Sequence, residues 1–114
     1  MYKLYHNPKC STSRKAKHLL EEKNVSFTEV LYLKNPLSSS EIKELLLKLN
    51  LSAMEVIRKK ESLWKENFAD KNLSQEELIE ILAQNPSLLE RPILETDAKA
   101  LVGRPTEVLL ELIS

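Results

Sequence analysis

The first 33 residues read as a strand, a helix and a second strand, and that order leaves few folds open. Tyr2 to Tyr5 alternates aromatic or apolar residues with polar ones, the two-residue period of a half-buried strand. Asn7-Pro8 breaks it. From about Ser11 to Asn24 the apolar residues Ala16, Leu19 and Leu20 recur at helical spacing. Phe27 to Leu33 is apolar and β-branched enough for a second strand, which Asn35-Pro36 ends. Such a βαβ unit requires its two strands to run parallel, joined by the crossover helix.

The C-terminal end reads differently. Arg91-Pro92-Ile93-Leu94 begins a third strand, and Lys99 to Val102 forms a fourth. The short Thr96-Asp97 link favours an antiparallel hairpin. Gly103-Arg104-Pro105 is a turn, and Leu109, Leu112 and Ile113 give the inner face of a terminal helix. Between the two ends lies a helical block. Ser38 with Glu41 and Ser74 with Glu77 are capping boxes. They open helices with inner faces of Ile42, Leu45, Leu46 and Leu49, and of Leu78, Ile81 and Leu82. A further helical stretch is expected from about Ser52, including Met54 and Ile57. The charged segment Arg58 to Asn72 reads as a short helix plus loop. The expected fold is α/β: a mixed four-stranded sheet of the thioredoxin-like type, in one domain spanning 1–114, with a helical insertion at about 38–89.

Composition removes several chemistries. Seventeen basic and seventeen acidic residues cancel, so the chain lacks the positive excess of a nucleic-acid binder. The basic run Arg14-Lys15-Ala16-Lys17-His18 reads as a solvated helix face, because no aromatic residues interleave it. One glycine, where average usage near 7% gives about eight, excludes glycine-rich phosphate loops. One cysteine and two histidines fall short of a zinc ligand set, so no metal is expected. No apolar run reaches the roughly 18 residues of a membrane span, and the N-terminus lacks a signal-peptide core. With a single cysteine there is no internal disulfide, and a cytoplasmic monomer with no bound cofactor is expected.

That cysteine, Cys10, sits in His6-Asn7-Pro8-Lys9-Cys10-Ser11-Thr12-Ser13-Arg14. A lone cysteine in a small domain is commonly a buried hydrophobe. Cys10, however, falls between a strand and a helix, where unpaired N–H groups and the helix dipole favour an anion. His6, Lys9 and Arg14 add positive charge nearby, and all of these favour thiolate over thiol. Ser11, Thr12 and Ser13 offer hydroxyls and N–H groups to an oxyanion beside the sulfur. Arg58, Arg91 and Arg104 lie at element boundaries, two of them before proline. Each alone reads as a surface charge. Converging on a thiolate, they would bind a tetrahedral oxyanion bidentately.

The motif from His6 to Arg14, the charged run from Arg58, Glu90-Arg91-Pro92-Ile93 and Gly103-Arg104-Pro105 together resemble the glutaredoxin-coupled arsenate reductase family. The likeness runs nearly end to end and includes Leu31-Tyr32-Leu33-Lys34-Asn35-Pro36. It implies a thioredoxin-like fold, Cys10 as the nucleophile toward arsenate, and Arg58, Arg91 and Arg104 as an oxyanion clamp. It also implies that His6 depresses the Cys10 pKa and that Pro92 is a cis-proline beside the site. Having no second thiol, the chain would need an external reductant: glutathione as co-substrate and glutaredoxin as partner. A thiol-dependent reductase of another substrate is an alternative reading. So is an Spx-type regulator that binds RNA polymerase, although such redox-sensing members carry Cys-x-x-Cys where this chain has Cys10-Ser11-Thr12-Ser13.

Overall fold

The computed structural model describes residues 1–113 and contains two compact units. The first joins Met1–Asn35 to the C-terminal segment that begins at Arg91, and the second is Pro36–Glu90.

The first unit is built on a four-stranded mixed sheet of order β2-β1-β3-β4. Its strands are β1 (Tyr2–Tyr5), β2 (Phe27–Val30), β3 (Ile93–Glu95) and β4 (Ala100–Val102). β1 runs parallel to β2, with Tyr5 opposite Val30, and antiparallel to β3, with Leu4 opposite Leu94. β3 and β4 form the antiparallel hairpin. The alternation of side chains sends Leu4 and Leu94 to one sheet face, where they meet Ala16 and Leu20 of α1 (Ser11–Glu22) and Leu109. All five are fully buried, and Tyr2, Val25, Phe27, Leu101, Leu112 and Ile113 pack around them.

Several boundaries differ from expectation: β3 opens at Ile93 rather than Arg91, and β4 at Ala100 rather than Lys99. β2 ends at Val30, because the N–H groups of Lys34 and Asn35 both turn back to the Leu31 carbonyl at 3.0 Å. α1 stops at Glu22, where a residue in the left-handed region closes it: Asn24, at φ 57°. The Val25 N–H bonds the Leu20 carbonyl and the Asn24 N–H bonds that of Glu21, which is a Schellman closure made without glycine. The terminal helix is of the tighter 3-10 kind, over Thr106–Leu112, and opens with a Val108 N–H bond to the Pro105 carbonyl. Two peptide bonds are cis: Arg91–Pro92, immediately before β3, and Arg104–Pro105, immediately before this helix.

In the second unit α2 (Ser39–Leu49) and α4 (Gln75–Gln84) pack together, and both expected capping boxes form. Their buried faces are Ile42, Leu45, Leu46 and Leu49, and Leu78, Ile79 and Leu82. The helical stretch expected from Ser52 shrinks to a 3-10 turn, Met54–Val56, after which Ile57 is extended and bridges Leu89. α3 (Ser62–Asn67) buries Trp64, whose ring lies 5.8 Å from that of Phe68. Among the described residues no helix is long and apolar enough to cross a membrane.

Candidate active site

Cys10 is the residue that caps α1. Its backbone is extended (φ −97°, ψ 123°), its carbonyl accepts the Arg14 N–H at 3.0 Å, and the next residue is already helical. A side chain at this position faces N–H groups that the helix itself cannot satisfy. Cys10 is half-buried, and burial alone pushes its thiol up. The Ser13 N–H, the Arg91 guanidinium and the Thr12 N–H outweigh that cost and hold the pKa below the ordinary thiol value. The two N–H groups act as oriented dipoles rather than as a closed cap hydrogen bond.

Two arginines reach the sulfur from the C-terminal segment. Arg104 places Nη2 4.0 Å from Cys10 Sγ and donates from Nε to the Arg91 carbonyl oxygen at 2.8 Å. Arg91 turns its guanidinium to the same sulfur, and its Nε is buried with no hydrogen-bond acceptor among the described residues. Gly103 sets this geometry. Its N–H bonds the Pro92 carbonyl at 2.8 Å, and a β-carbon there would sit 3.0 Å from Leu109 Cδ1 and 3.1 Å from Pro92 Cγ. Glycine is favoured at this point by the tight space, not by backbone conformation.

His6 takes a different place from the one expected of a cation beside the thiolate. Its ring is buried, which lowers its pKa; Glu29 opposes that shift, while Lys17 and Arg14 reinforce it. Its Nδ1 lies 2.7 Å from Ser13 Oγ, and the same hydroxyl oxygen accepts the Asn7 N–H at 3.0 Å. His6 therefore reaches Cys10 through Ser13. The Ser13 hydroxyl is fully buried and engaged by His6 and the Asn7 N–H, while the Ser13 N–H faces the Cys10 sulfur. Thr12 likewise acts through its N–H, and Ser11 is exposed on the first turn. Arg14 donates from Nη1 to the Pro8 carbonyl at 2.9 Å, tying the loop to the helix.

Arg58 belongs to the second unit, where its Nη1 is 2.8 Å from Glu61 Oε2 and its Nε is 3.8 Å from Glu90 Oε1. Glu29 was not singled out in the sequence. It lies 3.7 Å from His6 Nε2 and 3.0 Å from Lys17 Nζ, yet in the sequence it is one polar residue of a short strand, with nothing to mark it. No cluster of three or more potential metal ligands occurs among the described residues. What remains is an acidified, partly exposed sulfur with guanidinium groups beside it, an arrangement suited to nucleophilic attack on an anionic electrophile.

A family model described as the ArsC family matches residues 5–112. The uncharacterized protein YfgD of Escherichia coli strain K12 is 47% identical over 113 residues, covering 97% of this chain and 95% of YfgD. A protein named arsenate reductase from Neisseria meningitidis is 46% identical over 107 residues, 92% of either chain. A solved structure named arsenate reductase, from Vibrio cholerae, superposes with a TM-score of 0.92 at 40% identity, over 96% of this chain and 95% of that one.

Proposed function

Because the chain belongs to the ArsC family, we propose that it reduces arsenate to arsenite, with the Cys10 thiolate as nucleophile and glutathione and glutaredoxin as the external reductants. The observation that carries this reading is the buried Arg91 Nε, which has no acceptor among the described residues, on a guanidinium turned toward an acidified sulfur. A buried donor left unpaired is costly, and an oxyanion bound beside Cys10 would satisfy it. Arg104, with Nη2 at 4.0 Å from the sulfur, would bind the same anion from a second direction.

In this mechanism Cys10 Sγ attacks arsenic and one arsenate oxygen leaves as water. The two guanidiniums offset the charge that builds on the remaining oxygens. Glutathione displaces a second oxygen, again as water. A glutaredoxin thiolate then attacks the glutathione sulfur, forming a glutathione–glutaredoxin disulfide and leaving the electron pair on arsenic, now As(III). Hydrolysis releases arsenite and returns Cys10. Two thiols lose one electron each and arsenic gains both. Because Cys10 is the only cysteine, both of those thiols come from outside the chain. The test is arsenate-dependent NADPH oxidation with glutathione, glutaredoxin and glutathione reductase. Turnover that requires arsenate, glutathione and glutaredoxin together supports the reading; a folded protein inert in the full mixture overturns it.

A further inference from the structure

The contacts of His6 point to a residue outside the reacting set. Ser13 Oγ has one donor and two acceptor positions, and one acceptor is taken by the Asn7 N–H at 3.0 Å. Toward His6 Nδ1, 2.7 Å away, it can either donate its proton or accept one, so Ser13 alone does not choose the imidazole tautomer. The other side of the ring biases it electrostatically. Glu29 Oε1 lies 3.7 Å from Nε2, and an ionised carboxylate only accepts, so it favours the proton on Nε2. Lys17 Nζ, 3.0 Å from that same oxygen, holds the carboxylate in place. With Nε2 protonated, Nδ1 becomes an acceptor and the Ser13 hydroxyl donates to it. Ser13 is then fixed at both ends, by His6 and by Asn7, with its N–H facing the Cys10 sulfur.

We infer that Glu29 is a positioning residue for Cys10, acting through the tautomer of the buried His6 ring and the hydroxyl of Ser13. The inference rests on Cys10 being the reacting thiolate but not on arsenate being its substrate.

Two measurements test it. The first is the iodoacetamide pH profile of Cys10, in which the sign of the change is decisive. As a mere negative charge Glu29 disfavours the thiolate, so Glu29→Ala would move the alkylation midpoint down or leave it unchanged. As a positioning residue its loss frees Ser13, and the midpoint moves up by about half a pH unit. Glu29→Gln keeps an acceptor oxygen and is expected not to raise the midpoint. The second is the 15N spectrum of His6. The Nε2–H tautomer is expected in the parent protein and in Glu29→Gln, and a mixture in Glu29→Ala. A midpoint that falls or stays put in Glu29→Ala, or an unchanged His6 tautomer there, overturns the inference. Alkylation needs no arsenate, so a failure of arsenate turnover is read separately from a failure here.

Discussion

The Nε of Arg104 donates to the backbone carbonyl of Arg91 at 2.8 Å, so the two arginines that reach Cys10 are locked to each other before any ligand arrives. This bond uses one face of the Arg104 guanidinium and leaves Nη2 toward the sulfur at 4.0 Å. A planar fork with several donors does both tasks at once; an ammonium does one.

Replacing Arg104 by lysine is therefore expected to cost nearly as much as replacing it by alanine. For both variants kcat/KM for arsenate should fall about 10²–10³-fold, the scale of losing one donor to a developing oxyanion. Steady-state kinetics on the two variants check this. A lysine variant with near-parent activity would show that charge alone suffices.

Cys10→Ser replaces a thiolate by a hydroxyl that stays protonated at neutral pH. Reduction should vanish while the circular dichroism spectrum and urea midpoint remain those of the parent. In the parent, iodoacetamide alkylation should titrate below the ordinary value of about 8.5, in the direction set by Ser13, Arg91 and Thr12.

Gly103→Ala forces a methyl group against Leu109 and Pro92 at 3.0–3.1 Å. Leu109 is fully buried in the core, so any shift it makes disturbs its packing there. The expected loss is about 1–3 kcal/mol of stability, as for overpacking generally, read from the urea midpoint. Turnover should fall as well, because the next residue is Arg104.

His6 is held neutral by burial, with its pKa below the free value. Such a group binds a proton more readily in the unfolded chain, so stability falls as pH drops below about 6.5 and levels off once the folded form protonates too. Urea denaturation between pH 7.5 and 5 should show that slope, and His6→Gln should flatten it. An identical slope in the variant would assign the loss to other groups.

Much of this was legible in the residues. The βαβ opening, the two capping boxes and the C-terminal hairpin rest on local signals, and each forms, although β2 and α1 end sooner than their patterns predict. The position of Cys10 at the head of α1 was equally local. Boundaries set by backbone hydrogen bonding were not, as in the turn at Leu31 and the tight terminal helix. The partners of the Ser13 hydroxyl, His6 and the Asn7 N–H, are not legible in the sequence, because they are chosen by folding of the loop back on the helix. Glu29 left no trace at all, since β2 had to be laid parallel to β1 before it came near His6.

The sulfur at Cys10 owes its acidity in part to Arg91, and its other guanidinium neighbour stands 94 positions further along the chain. A ribosome still working on the middle of this protein has exposed a cysteine with none of that help, an ordinary thiol that oxidants and alkylating agents attack slowly at neutral pH. The Arg91 and Arg104 contacts come into being only when the C-terminal segment is made and seated. The part of the sulfur's acidity that comes from guanidinium groups is thus acquired late, and a nascent or unfolded copy lacks it.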